Sequence, residues 1–312
     1  MGMGAADVVP GVSGGTIALI VGIYEELIDS LRSVDAKALK LLFSGKIKAA
    51  WAYVNANFLI AVLLGVAISV VSLARGISWL LENHPIALWS FFFGLILASA
   101  YAVGRRIRRP RPAQLIILAL GIGLSYYITI ASPAETPEAY WFIFISGMVA
   151  ICAMILPGIS GSFILLLLGK YAFIMGAIKD FELQVMLVFM AGAAIGLLSF
   201  SRVLGWLLQH YHDLTLALLT GFMLGSLNKV WPWKLVTQTR LDSKGEEVPF
   251  LEESILPGTF EAQVGDPQLG LAIGMFVLGI AVILVIEQPW RRPPAATDHP
   301  DAVSTGESKK VR

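Results

Sequence analysis

Long apolar stretches separated by short polar segments recur along this chain. Each is of the length that a helix uses to cross roughly 30 Å of hydrocarbon at about 1.5 Å per residue. They cover residues 58–74, 86–103, 115–131, 140–156, 183–200, 214–227 and 269–286. Of the 312 residues, 56% are hydrophobic and only 14% are charged, so the solvent of this chain is a bilayer. Because lipid cannot satisfy the backbone of an open strand, the sequence predicts an all-α polytopic membrane protein.

The placement of charge predicts how the chain is oriented in the membrane. Basic residues concentrate in 32–48, in 105–111 and at Arg291 and Arg292, whereas 132–139 carries two glutamates and no basic residue. By the positive-inside rule, the first three segments are cytoplasmic and the last is external. Both termini are therefore expected in the cytoplasm.

Composition also excludes several classes of function. The formal net charge is +1 and no basic patch is interleaved with aromatic residues, so no nucleic-acid partner is expected. The single cysteine, Cys152, and the histidines show no metal-ligand spacing, so neither a metal nor a cofactor is predicted. The opening residues lack the basic region and cleavage site of a signal peptide. The polar tail over 293–312 is expected to be disordered.

The chain contains an internal repeat. Residues 6–24 align with 153–171 at nine identities in nineteen positions, and residues 65–81 align with 192–208. The first alignment superposes a shared Pro-Gly-x-Ser-Gly motif, which apolar composition alone would not produce. The two offsets, 147 and 127, differ by one basic insertion between residues 28 and 57. We predict a first membrane repeat over residues 1–131 and a second over 140–288.

Counting crossings predicts how the two repeats are related. Each repeat contributes three full crossings, so the second repeat begins on the opposite side of the membrane. This is the inverted-topology repeat of secondary transporters, with six full crossings in all and a substrate site where the repeats meet near the midplane. Each repeat opens with a helical hairpin broken at its motif. Residues 1–9 reach only about 14 Å as a helix, so the first hairpin is predicted to be re-entrant; residues 140–156 allow a re-entrant or a spanning arm.

The repeated motif has the chemistry of an anion site. Pro10-Gly11 and Pro157-Gly158 are expected to break the helices within the membrane. Ser13 and Ser160 are then predicted to cap the helices that follow, whose first turns would offer unpaired N–H groups and hydroxyls to an anion. The predicted binding residues are Ser13, Gly14, Gly15, Thr16, Ser160, Gly161 and Ser162. The alternative is that the proline and glycine kinks only shape the helical bundle.

Three further charged residues are candidates. Arg75 and Arg202 occupy equivalent positions in the two repeats, and guanidinium groups suit bidentate contacts to phosphate. They either face the cavity between the repeats or extend to the nearest membrane interface. Asp7, just before the first break, is either a coupling group or simply a polar residue beside a short hairpin.

The stretch MGAADVVPGVSGGTIALIVGIYEELI resembles the signature of the bacterial domain-of-unknown-function family 368, whose members are regarded as polyprenyl-phosphate transporters. The resemblance continues through the second motif, PGISGS, and covers residues 3–286. It implies a plasma-membrane carrier that recycles undecaprenyl phosphate from the outer to the inner leaflet for synthesis of peptidoglycan and other envelope polymers. Its partners would be this lipid-linked phosphate and the surrounding membrane lipids. The segment 229–268, predicted to be external, is a departure of unknown role.

An enzyme and a small-anion transporter are the alternatives. PGVSGGT also resembles the PGxSRSxxT motif of the undecaprenyl-pyrophosphate phosphatases, another inverted-repeat membrane family. Here Gly14 stands in place of the arginine, Gly15 replaces the second serine, and no intramembrane ExxxE pair follows. Because hydrolysis requires acidic or nucleophilic groups near the phosphate, we predict a transporter and not an enzyme.

Overall fold

The computed structural model describes residues 1–8, 13–107, 111–134, 136–241 and 247–287. Several residues discussed above lie outside these ranges: Pro10, Gly11, Arg108, Arg109, Glu135, Arg291, Arg292 and the tail over 293–312.

The first half of the chain is helical in its described part. Its helices are α1 (Gly2–Val8), α2 (Gly14–Val21), α3 (Tyr24–Arg32), α4 (Ala36–Phe43), α5 (Ile47–Tyr53), α6 (Ala56–Asn83), α7 (Pro85–Gly104) and α8 (Pro112–Ile130). The helices α4 and α5 occupy the basic insertion.

The second half adds a short sheet to its helices. Its elements are α9 (Tyr140–Ile155), α10 (Gly161–Leu167), α11 (Tyr171–Lys179), α12 (Leu183–His210), α13 (His212–Ser226), a 3-10 turn (Leu227–Val230), β1 (Lys234–Leu241), β2 (Glu247–Ser254), α14 (Pro257–Gln263) and α15 (Leu269–Glu287).

Among the described residues, five helices are long and apolar enough to cross a membrane: α6, α7, α8, α12 and α15. The bent pair α10 and α11, whose axes differ by 109°, would raise the number to six if counted as one span. These spans confirm the prediction of a helical polytopic membrane protein. The helix α13, expected as a full crossing, has only 15 residues and continues into the 3-10 turn.

The second hairpin, formed by α9 and α10, returns to the side from which it starts. The loop 132–139 leads directly into α9, and the same loop contacts the far end of α10. Ala134 N–H donates to the carbonyl of Leu167 at 2.8 Å, and Lys170 Nζ donates to the carbonyl of Thr136 at 2.8 Å. The hairpin therefore begins and ends beside the loop 132–139, as both a re-entrant and a spanning α9 require.

The long helices pack through glycine at close approach. A β-carbon at Gly94 in α7 would collide with the carbonyl oxygen of Phe276 in α15, and one at Gly221 in α13 would meet the carbonyl oxygen of Leu118 in α8. Small residues permit such backbone contact in membranes, where dispersion forces replace the hydrophobic effect between helices. Two helices of the first half are thus packed on two helices of the second.

The segment 229–268, predicted to be external, contains a β-hairpin that was not predicted from the sequence. Strands β1 and β2 pair antiparallel, with register shifts near Gln238. Two tryptophans anchor the segment: Trp231 Nε1 donates to the carbonyl of Ile255 at 2.8 Å, and Trp233 Nε1 donates to that of Pro267 at 2.9 Å. Trp231 and Trp233 also share an apolar cluster with Ile86 of α7 and Ala272 of α15, so the base of the hairpin is held on the helical bundle.

Candidate functional site

The tips of the two broken hairpins meet in the interior of the bundle. Ser13 Oγ donates to the carbonyl of Met154 at 2.9 Å, and Tyr24 Oη donates to that of Ile155 at 3.1 Å. In the opposite direction, Gly158 N–H donates to Thr16 Oγ1 at 3.0 Å. These bonds join residues more than 130 positions apart, so the fold brings the two copies of the motif together.

At the first tip, the helix N-terminus is already satisfied by groups of the chain. Ser13 has extended backbone angles and its Oγ accepts from Gly15 N–H at 3.1 Å, which confirms its predicted capping role. The N–H of Gly14 donates to Asp7 Oδ1 at 2.7 Å. A carboxylate therefore occupies the position where the sequence predicted a bound anion.

Glycine is required at this tip because backbone and carboxylate approach closely. A β-carbon at Gly15 would collide with the carbonyl oxygen of Ile155, and one at Gly14 would lie 2.6 Å from Asp7 Oδ2. At the second tip, Gly158 has a φ of +87°, a conformation that side chains rarely adopt. Gly14 and Gly15 therefore permit close contact, and Gly158 permits a left-handed backbone conformation.

The second tip differs in its hydrogen bonding. Ser160 holds the corresponding position before α10, but its Oγ lies 2.8 Å from Ser162 Oγ and makes no cap to the backbone. Ser160 is buried, Ser162 is exposed, and Gly161 packs on the carbonyl oxygen of Ala150 in the same hairpin.

A narrow space of mixed polar and apolar lining adjoins the second tip. It is about 10 Å³ in volume and is lined in part by Ser125, Thr129, Ser160 and Lys229. Lys229 was not among the binding residues predicted from the sequence. The available signal was a lysine that follows the apolar stretch 214–227 almost directly.

An apolar cavity of about 250 Å³ lies beside the first tip. Side chains of α1, α3, α6, α9 and α12 line it, and among the described residues Asp7 is the only charged one in its wall. Leu63 of α6, which also lines the cavity, is 66% exposed on the surface of the bundle. The cavity therefore joins the polar tip to the side of the protein that faces hydrocarbon.

The two arginines lie away from this cavity. Arg75 is exposed on α6. Arg202 is exposed on α12 and donates to the carbonyl of Val34 at 3.0 Å and to that of Leu198 at 3.1 Å. Neither residue lines the cavity in this structure, so their contact with a phosphate stays a prediction.

The structure combines several helices long enough to span a membrane with two helical hairpins, whose polar tips meet beside an apolar cavity. This combination defines a helical membrane transporter. Residues 3–248 match the family described as undecaprenyl phosphate translocase-like, and the chain belongs to this family.

Two curated relatives support this assignment. A protein of Vibrio cholerae named polyprenyl-phosphate transporter is 47% identical over 289 residues, which cover 92% of this chain and 94% of the relative. A protein of Staphylococcus aureus with the same name is 32% identical over 248 residues, or 74% of this chain and 83% of the relative. No solved structure matches the chain significantly. Both names describe transporters, which agrees with the prediction that the chain is not an enzyme.

Proposed function

We propose that this protein carries undecaprenyl phosphate, or a closely related polyprenyl phosphate, from the outer to the inner leaflet of the bacterial plasma membrane. The observation that carries the proposal is the junction of a polar centre, made by the two hairpin tips, with an apolar cavity open toward lipid. A polyprenyl phosphate has a small anionic head and a long apolar tail, so it needs both environments at once. The names of the relatives support this substrate, and its inward transport would recycle the carrier for envelope synthesis.

The proposal includes an inverted repeat, with 1–131 and 140–288 as its halves. Helices α6 and α12 each have 28 residues and begin at residues 56 and 183, which reproduces the sequence offset of 127. Gly65 and Gly192 lie at corresponding points of these helices, and each touches the first arm of its own hairpin. Loop charge then orients the halves in opposite senses, with both termini in the cytoplasm.

In the proposed mechanism, the phosphate binds between the tips, at Ser13, Gly14, Gly15 and Thr16 and at Ser160, Gly161 and Ser162. Asp7 now holds the N-terminus of α2 through Gly14. One helix end does not stabilise two anions, so an arriving phosphate displaces the Asp7 carboxylate, which returns when the phosphate leaves. Asp7 thereby couples occupancy of the site to the arrangement of the hairpin.

Arg75 and Arg202 would act at the two ends of the path. Arg202 contacts Val34, within the basic segment 32–48 assigned to the cytoplasm, whereas Arg75 lies toward the far end of α6. We infer that Arg75 assists capture from the outer leaflet and Arg202 assists release at the inner one. Glutamine at Arg75 should slow entry and glutamine at Arg202 should slow exit; wild-type flux in both variants would assign the arginines to the membrane interfaces.

The direct test is transport by the purified protein in liposomes loaded asymmetrically with undecaprenyl phosphate. Flux of the lipid between leaflets, measured with a reagent that reaches only the outer leaflet, should exceed that of empty liposomes. A matched liposome set containing inorganic phosphate tests uptake of a soluble anion, and release of phosphate from the pyrophosphate lipid tests hydrolysis. Activity in either of these assays without lipid flux would refute the proposal.

A further inference from the structure

A cluster of charged residues beside the second tip is not used by the mechanism above. Lys229, in the 3-10 turn after α13, lines the same narrow space as Ser160. Its Nζ lies 4.7 Å from the ring centroid of Phe163, in the first turn of α10. Lys229 thus places a cation directly beside the second copy of the motif.

Lys229 shares one carboxylate with a second lysine. Glu252 Oε2 lies 3.7 Å from Lys229 Nζ and 3.3 Å from Lys234 Nζ. The three side chains are only 19%, 8% and 23% exposed for Lys229, Lys234 and Glu252, respectively. Two ammonium groups therefore face a single carboxylate in a poorly hydrated place, and the cluster carries one excess positive charge.

The environment of Lys234 also disfavours its positive charge. Burial lowers the pKa of Lys234 to about 8, while Glu252 opposes this change and Lys229 adds to it. Its Nζ also lies 3.9 Å over the ring of Trp89, so an aromatic face supplies part of the missing compensation. A further anion near the two lysines would stabilise both.

The β-hairpin holds Glu252 in place. Glu252 belongs to β2, and the neighbouring Ser254 Oγ donates to the carbonyl of Asn228 at 3.1 Å. The free space beside Ser160 and Lys229 is about 10 Å³, roughly the room of one water molecule. A phosphate is larger than one water molecule, so the side chains that line this space, including that of Lys229, must move apart to admit it.

We propose that Lys229 and Lys234 form a binding site for a phosphate monoester at the second tip, and that Glu252 occupies this site as an internal substitute until the phosphate replaces it. The inference rests on the proposed function, whose topology places this cluster on the external side. It assigns the segment 229–268 a role: its hairpin holds Glu252 on the two lysines, and the phosphate headgroup takes the place of that carboxylate. Asp7 at the first tip is a substitute of the same kind.

The test measures binding of farnesyl phosphate to the purified full-length protein, with farnesol and inorganic phosphate as companion probes. Lys229→Gln should weaken binding of farnesyl phosphate by roughly ten- to a hundredfold, the usual effect of losing a charged hydrogen bond. Lys229→Arg should retain most of the affinity. Glu252→Gln should bind at least as tightly as the wild type, because the competing carboxylate is gone. Lys46→Gln, at an exposed lysine of the cytoplasmic insertion, is the matched control.

A purely structural ion pair predicts a different pattern. In that case Lys229→Gln and Glu252→Gln would lower binding and thermal stability together, and this result would overturn the inference, as would unchanged affinity in Lys229→Gln. If inorganic phosphate bound through Lys229 while farnesyl phosphate did not, the site would belong to the free anion and the inference would also fail. If the wild-type protein moves undecaprenyl phosphate and the Lys229→Gln variant moves it equally fast, only this site is refuted. Wild-type protein that neither binds nor moves a lipid phosphate would refute the proposed function itself.

Discussion

Single residues at the first tip are fixed by contact with the other half of the chain. Gly15 touches the carbonyl oxygen of Ile155, a backbone atom that cannot move aside as a flexible side chain would. Gly123 in α8 has open space where its β-carbon would be. A comparison of alanine substitutions at Gly15 and Gly123 therefore distinguishes the loss of this backbone contact from the general effect of adding a methyl group to a membrane helix.

Gly15→Ala should destabilise the protein by about 1–3 kcal/mol, the usual cost of overpacking, because the two hairpins must separate. Transport should fall with stability. Gly123→Ala is the control and should leave both nearly unchanged. Thermal unfolding in detergent together with lipid flux checks the prediction; equal behaviour of the two variants would show that the tips are not tightly packed.

Substitutions at Asp7 can separate the effect of its negative charge from the effect of its hydrogen bond to Gly14 N–H. Asp7→Asn keeps an acceptor for Gly14 N–H but removes the carboxylate that competes with phosphate. It should bind lipid phosphate roughly two- to fivefold more tightly, as expected from about 0.3–1 kcal/mol for a charge at a helix end. Asp7→Ala should instead lower thermal stability, since Gly14 N–H loses its partner. Weaker binding in Asp7→Asn, measured by titration with farnesyl phosphate, would contradict the competition.

At the level of structural elements, the two hairpins depend on each other for their hydrogen bonds. The buried Thr16 Oγ1 accepts the N–H of Gly158, whose backbone lies in the left-handed region and has no helical partner there. A hairpin tip inside a membrane is tolerated only where protein satisfies its backbone. The first hairpin therefore supplies a hydrogen-bond acceptor that the tip of the second hairpin needs.

Thr16→Val preserves shape but removes the acceptor, and should cost about 1–3 kcal/mol because Gly158 N–H is left unsatisfied. Thr16→Ser keeps the hydroxyl and is the matched control, with a smaller loss from the missing methyl group. The melting temperature in detergent and the rate of lipid flux measure both effects. A Thr16→Val protein as stable and active as Thr16→Ser would mean that another acceptor serves Gly158.

For the whole molecule, the inverted repeat predicts which surfaces face each side of the membrane. In a Cys152→Ser background, single cysteines at Glu138 and Glu261 should react with a membrane-impermeant thiol reagent applied to intact cells. A cysteine at Lys46 should react only after the cells are opened. All three positions are exposed, so access depends on topology. Labelling of Glu138 and Lys46 from the same side would end the inverted-repeat interpretation.

The amino-acid sequence was sufficient to predict the helical membrane fold, because the bilayer forces each apolar stretch to satisfy its own backbone. It also predicted the role of Ser13 as a cap, which depends only on neighbouring residues. The length of α13 and the β-hairpin were missed. An apolar run does not reveal where a helix ends when its next residues pack on other elements, and the pairing of β1 with β2 lies in a segment of mixed polarity.

Tertiary structure decided how the candidate site is assembled. Local sequence could not show that Asp7 fills the end of α2, that Ser13 bonds Met154, or that Arg202 reaches Val34. Nor could it place Glu252 between Lys234 and Lys229, the lysine that lines the space at Ser160. Each of these contacts depends on the distance and direction between elements, which packing fixes in three dimensions, whereas helix formation and capping are fixed within a few residues along the chain.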